Sequence, residues 1–335
     1  MSVAEANSST GSRTAARSSD TRVRRINTAI AALLVLVFAA LPFVDADQFT
    51  ISLGTTLMIT GIATTSLHLI IRTGHVSLAH AAFMGLGSYA SVIAVTTFGL
   101  PFPVAVVLAF LTPALLALMV GPLLLRLSGK YFVLVTFLLG EIIRLVFVSW
   151  QSFTGGSNGI FGIKVPYGFL ESPIAFFYFT MGFAIVCIGF VARLLQSEIG
   201  RTIDAIREDP RLAECFGVPV LRVKVTIFVI ACGLAGVSGA LFGYFVRYID
   251  PTSFSIIQSL NFVVMNVVGG MYQLAGPIVG TVFFVILPEF LRGYVELQRV
   301  IFGVCLIVVM AFLPGGIVEL ATRLRKLPRS GREDS

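Results

Sequence analysis

Between residues 27 and 314 the chain is almost continuously apolar, broken only by short polar or glycine-rich intervals, and this limits its fold more than any motif does. In hydrocarbon the backbone must satisfy its own hydrogen bonds, so a run of roughly 20 apolar residues that matches a ~30 Å core becomes a helix. Seven such runs stand out, at 27–44, 50–71, 78–98, 103–125, 131–150, 174–195 and 225–248. Gly269-Gly270 and Gly276-Pro277 interrupt the remaining apolar sequence, which divides into two short spans, 257–271 and 276–292, and a last one at 299–314. With 56% of the 335 residues hydrophobic and 12% charged, no soluble catalytic domain fits in what is left. The expected fold class is all-α: a polytopic integral membrane bundle of about ten transmembrane helices with both termini cytoplasmic.

Lys and Arg fix the orientation, because positively charged connections stay in the cytoplasm. With ten spans the inner side receives the five Arg of the N-terminal tail, Arg72, Arg126 and Lys130. It also receives the six basic residues from Arg193 to Lys224 and the five that follow residue 322, giving 19 of 24. The outer side holds Lys164, Arg247, Arg292 and Arg299, and Arg144 lies within a span. The formal net charge of +7 is therefore a topology signal and calls for no nucleic acid. Residues 1–26 form a polar tail unable to pack, 27–317 the transmembrane domain, and 318–335 a basic cytoplasmic tail.

Small residues recur at three- or four-residue spacing, at Gly233, Gly236, Ala240 and Gly243 with Gly239 beside them, and at Gly87 and Ser91. This spacing marks helix faces that approach their neighbours closely. Cys187, Cys215, Cys232 and Cys305 make no CxxC and are expected to be reduced packing residues. His68, His75 and His80 have no acid or cysteine at metal-ligand spacing, so no metal site is expected and loop polarity accounts for them. Glu141 and Arg144 lie three residues apart inside a span, where they can pair on one helical face. They serve either as a structural ion pair or in the translocation pathway. Glu289 and Arg292 repeat the spacing, a hint of an internal repeat. On the outer side Thr154, Gly155, Gly156, Ser157 and Asn158 make either an ordinary polar loop or the place where a delivered substrate enters, with glycine N–H groups free for a carboxylate.

One cytoplasmic connection is more ordered than a linker. A short helix beginning near Glu198 places Ile203 and Ile206 on one face, with Arg201, Arg207 and Glu208 among its charges. Asp209 followed by Pro210 reads as an N-cap and first turn of a second helix. Leu212, Ala213 and Phe216 form its apolar face, Gly217 its left-handed end, and Pro219 prevents continuation. Acids mixed with arginines suit an anionic bilayer poorly, so a protein partner is expected here. The chain has no phosphate-binding loop: Gly129-Lys130 lacks both the preceding glycine and the following Ser or Thr.

Seven segments carry a specific resemblance: "GHVSLAHAAFMGLGSYAS" (74–91), "GKYFVLVTFLLGEIIRLVF" (129–147), "TGGSNGI" (154–160), "GRTIDAIREDPRLAECFGV" (200–218), "FVIACGLAGVSGALFGYF" (228–245), "VVGGMYQLAGPIVGTVFFVILPEFLR" (267–292) and "LIVVMAFLPGGI" (306–317). In order and spacing the chain resembles the permeases of bacterial branched-chain amino acid ABC importers, the LivM type, over nearly everything after residue 50. Tyr272-Gln273 departs from the small polar residue expected after Gly-Gly-Met. The resemblance implies an inner-membrane, non-catalytic transporter subunit. Its partners would be a second related permease, two ATPase subunits and an extracytoplasmic solute-binding protein. It also implies that residues 198–217 dock in a groove of the ATPase and that ATP is used by the partners, with no cofactor bound by this chain. Urea or amides, aromatic acids, nucleosides or sugars are alternative cargoes. An autonomous secondary carrier is the alternative of a different class.

Overall fold

A computed structural model describes residues 47–290 together with residues 300, 301, 303, 304, 307 and 316–318. The expected span 27–44, most of 299–314, the N-terminal tail, the C-terminal tail from 319 onward, Arg292 and Cys305 lie outside the described residues. Two compact units are distinguished, residues 1–54 and 55–335. In the first, the described residues begin helix α1 (Gln48–Arg72), where the Ser52 hydroxyl donates to Gln48 O at 2.8 Å.

The second unit continues α1 and adds α2 (His80–Thr96), α3 (Phe102–Leu124), α4 (Lys130–Ser149), α5 (Pro173–Gln196), α6 (Glu198–Glu208), α7 (Pro210–Cys215), α8 (Val220–Val246), α9 (Ile256–Gly269) and α10 (Gly276–Phe290). Five of these, α1, α3, α4, α5 and α8, are long and apolar enough to cross a membrane. Helix α9, with 14 residues, is only about 21 Å long, so it does not span a ~30 Å core by itself. Pro219 begins α8 five residues before the expected start at 225, since its fixed φ suits the position ahead of a first turn.

Helix α8 lies at the centre, against α2 and α3. The packing glycines are found along these contacts. A methyl group on Gly87 would collide with the Gly236 backbone, one on Gly236 with Ala109 O, and one on Gly239 with Met84 O. Gly233 faces the Phe110 ring and Gly243 the Ser88 hydroxyl. Tyr244 OH, buried, donates to Ser91 O at 3.1 Å and so ties α8 to α2 near the C-terminal end of α8.

From residue 55 onward α1 is buried almost throughout, although it is the least apolar of the five long helices. Its polar groups are absorbed by neighbours. Ile59 O accepts from Ser238, Thr64 Oγ1 pairs with Thr281 Oγ1 at 2.7 Å, and Thr64 O accepts from Asn266 Nδ2 at 3.1 Å. His80 Nε2 lies 2.8 Å from Ser66 Oγ and 3.1 Å from Ala63 O. His68 and His80 are fully buried, not loop residues as the sequence suggested, because α1 and the start of α2 form the interior of the bundle. Cys187 and Cys232 are buried, whereas Cys215 is exposed on α7.

Candidate functional site

The connections collect on two sides. On one, the end of α1, the helix pair α6–α7 and the link between α9 and α10 meet. On the other, residues 150–172 and 247–255 are joined by a two-residue antiparallel ladder, β1 (Ile160–Phe161) with β2 (Tyr248–Ile249), pairing Ile160 with Ile249.

The pair α6–α7 is built by local chemistry. The Asp209 carboxylate accepts from the N–H groups of Arg211 and Leu212 at 2.9 and 3.1 Å, capping a helix whose first residue, Pro210, has no N–H to offer. Gly217 closes the turn at φ +82°, a conformation that β-branched residues resist. Ile203 and Ile206, fully buried, turn inward, and Ile206 packs with Ala213 and Val220. Each such burial stabilises by about 1.5–3 kcal/mol. Ala213 therefore faces its own chain, not outward as the sequence pattern suggested, because the turn at Asp209 folds α7 back onto the start of α8. Leu212 and Phe216 remain outside, at 56% and 81% exposure. Arg201 and Glu198 pair at 3.2 Å on the exposed surface, where such a contact contributes little.

Arginine clamps the pair to the bundle. Arg72, the last residue of α1, donates from Nη2 to both Asp204 oxygens at 2.5 Å and from Nη1 to Tyr272 O at 2.6 Å. The Arg207 guanidinium lies 4.4 Å from the centre of the Tyr272 ring. Residues 64, 68 and 72 share one face of α1, four residues apart. Thr64 meets Asn266 and Thr281, His68 lies beside the Asn266 amide without hydrogen-bond geometry, and Arg72 meets Asp204 and Tyr272. The sequence reading used Arg72 only as an inner-side charge and did not single out Asn266 or Thr281. The spacing of 64, 68 and 72 was the available signal.

Glu141 and Arg144 pair within α4, with Arg144 Nε donating to Glu141 Oε1 at 2.9 Å and to Oε2 at 3.0 Å. Their side chains are about one third and one quarter exposed, and Glu141 shares its face with exposed Leu134, Leu138 and Leu145. The pair thus flanks the outward face of α4 and not the bundle centre. Glu289 lies in α10, while its expected partner Arg292 is outside the described residues.

On the other side, Thr154 is buried and its hydroxyl donates to Phe147 O at 2.6 Å or Trp150 O at 2.7 Å. The N–H groups of Gly155, Gly156 and Gly159 are used within the loop, by Gln151 O, Thr154 Oγ1 and Gly156 O. The glycine amides expected to be free for a carboxylate are thus occupied in this state. Ser157 and Asn158 are exposed. Nearby, Asp250 caps the turn Pro251–Phe254. Burial disfavours its charge, but hydrogen bonds from the side chains and N–H groups of Ser253 and Thr252 outweigh it and hold the carboxyl below its ordinary value. Among the described residues, no three His, Cys, Asp or Glu side chains converge on a point where a metal ion could sit.

Residues 49–310 match the family described as "Branched-chain amino acid transport system / permease component". The chain is 28% identical to the high-affinity branched-chain amino acid transport system permease protein LivM of Escherichia coli, across 89% of this chain and 76% of that one. It is 22% identical to a probable LivM permease of Methanocaldococcus jannaschii, across 63% and 68% of the two chains. A LivH permease of E. coli is 29% identical over 42% of this chain and 47% of its own. No solved structure matches. The match over most of its length and the long apolar helices make this chain a multi-pass membrane protein of the branched-chain amino acid transport permease family.

Proposed function

We propose that the chain is a permease subunit of an ABC importer that carries branched-chain amino acids across a bacterial inner membrane. Ten apolar segments enter the membrane, the short α9 and α10 among them, with both termini in the cytoplasm. It pairs with a related permease of the LivH kind, receives its cargo from an extracytoplasmic binding protein, and is driven by two ATPase subunits; the chain itself is not catalytic. The observation that carries this reading is the helix pair α6–α7. A capped, folded element lies outside the long apolar helices, with its inner face fixed by Ile203 and Ile206 and its outer face presenting Leu212 and Phe216. A plain linker needs neither the cap nor the exposed phenylalanine. A partner with an apolar groove uses both.

Alternating access follows. Closure of the ATPases on ATP displaces α6–α7, and the helices bordering the second permease rearrange to open toward one side. The partly exposed Glu141–Arg144 pair on α4 fits a position facing that subunit or the pathway between the two, since a lipid-facing charge costs up to ~3 kcal/mol. Ser157 and Asn158 stand where the binding protein delivers its cargo. The same outward placement weakens the secondary-carrier alternative, which needs its acid among the buried helices.

The test is reconstitution in liposomes. The complete complex, supplied with ATP and loaded binding protein, should accumulate leucine, isoleucine and valine, and this chain alone should accumulate none. Gradient-driven uptake by the isolated chain would refute the importer reading.

A further inference from the structure

Three elements far apart in sequence are held together by one guanidinium. Arg72 ends α1, Asp204 sits on α6, and Tyr272 lies in the six-residue link that joins α9 to α10. Arg72 uses one terminal nitrogen for both Asp204 oxygens and the other for the Tyr272 carbonyl, and its side chain is only 12% exposed. Arg207, one turn along α6 from Asp204, covers the Tyr272 ring. The α9–α10 hairpin is bound again to α1 deeper in the bundle, through Asn266 to Thr64 O and Thr281 to Thr64 Oγ1. The hairpin turn itself is close-packed: a methyl group on Gly269 would collide with Gly276 O, and one on Gly280 with Met265 O.

We infer that Arg72 is a positioning residue for transport: its two-handed grip on Asp204 and the Tyr272 carbonyl makes displacement of α6–α7 a displacement of the α9–α10 hairpin. A fork is needed for this. Arginine presents its donors in a rigid plane and can hold a carboxylate and a carbonyl at once, whereas a lysine ammonium is a single point charge on a flexible stem. The hairpin has no slack to absorb a push at its turn, because its helices meet backbone to backbone at Gly269 and Gly280. A displacement at Tyr272 must therefore reach Asn266 and Thr281 and the buried face of α1 that they contact. The inference rests on the importer reading, since it assigns to the clamp a part in that cycle.

Two measurements test it. In the full reconstituted complex, leucine uptake and ATP hydrolysis are measured together for Arg72→Lys, which keeps the charge but not the fork, and for Tyr272→Ala, which removes the ring under Arg207. Uptake per ATP hydrolysed should fall about fivefold or more in Arg72→Lys and less in Tyr272→Ala, with hydrolysis within about twofold of the wild type. A purely structural role would instead lower uptake and hydrolysis in parallel, and that result, or an unchanged ratio in both variants, overturns the proposal. Hydrogen exchange on the complete chain in detergent gives an answer independent of cargo. Asp204→Asn should raise amide exchange severalfold both in α6 and in residues 270–276, and a rise confined to α6 also overturns the clamp. If the wild-type complex hydrolyses ATP without accumulating leucine, the importer reading fails, and the exchange experiment still decides whether the clamp exists.

Discussion

Helix α8 is held at its middle by backbone-to-backbone approach at Gly236 and Gly239, whereas α6 is held mainly by two isoleucines and one arginine. At Gly236 the α8 backbone meets Ala109 O of α3 on one side and Gly87 of α2 on the other, so no atom can be added and none can move far. At α6, apart from Gly200, whose backbone packs against Leu195 O at the turn from α5, the contacts are side chains with rotamers of their own, the charged grip of Arg72 among them. Close packing of this kind transmits strain but does not store alternatives. The difference separates a fixed frame from a movable part. If the frame includes α2, α3 and α8, the parts free to change between transport states are α6–α7 and the elements attached to them.

The largest expected effect breaks the frame. Gly236→Val places a branched three-carbon side chain, its Cβ first, against carbonyl and backbone atoms that have no rotamer escape, so the cost should reach the upper end of overpacking, about 3 kcal/mol or more. Membrane levels of the chain should fall tenfold or more by immunoblot, and wild-type levels would show that the three helices can separate.

Next comes the pair on α4. Glu141→Gln or Arg144→Gln leaves one charge without its partner in the apolar zone, at a cost of up to ~3 kcal/mol, while the double variant removes both. Each single variant should assemble less well than the double, read as the yield of complex after detergent extraction. Equal yields would reject mutual support and leave only a role in the pathway.

Changes in the movable part should spare insertion and weaken association. Phe216→Ala removes the most exposed large apolar side chain at the helix pair and should raise the dissociation constant for the ATPase at least about fivefold, equivalent to ~1 kcal/mol. Gly217→Val should do comparable damage by another route, since φ +82° costs a β-branched residue about 1–2 kcal/mol. Full ATPase recovery on co-purification with both variants would make α6–α7 a mere connection. The smallest effect sharpens the same contrast. Gly182→Ala in α5 meets no atom within 4 Å and should leave membrane levels unchanged. A loss like that of Gly236→Val would mean that glycine matters here for some reason other than close approach.

Much of this was legible in the sequence because the signals are local. Apolar run length placed the long helices, and Asp209-Pro210 with Gly217 placed the ends of α7 within a residue. What could not be read depends on partners distant in the chain. Thr64 finds Thr281 across 217 residues and Arg72 finds Asp204 across 132, so the burial of α1, with its threonines and histidines, had no local cue. The facing of Glu141–Arg144 was likewise undetermined. A helix pattern tells which residues share a face, but only the burial of Phe132, Thr136, Gly140, Ile143 and Phe147 in the bundle decides which face is inward. Ile203, Ile206 and Ala213 show the same limit: all were read as apolar, and the fold back at Asp209 turned them toward their own chain.

Phe216 has a consequence for the life of the subunit before it ever transports anything. Alone, the chain displays an exposed phenyl ring and Leu212 beside it to the aqueous phase, a surface of the kind that chaperones and proteases engage. In the importer proposed above, docking of the ATPase would hide it. The same side chain would then report whether the subunit has found its partners, matching the amount of permease retained in the cell to the amount of ATPase made. Pulse-chase of the wild type and of Phe216→Ser without ATPase would show it, with the serine variant outliving the wild type; equal half-lives would deny the ring this second role.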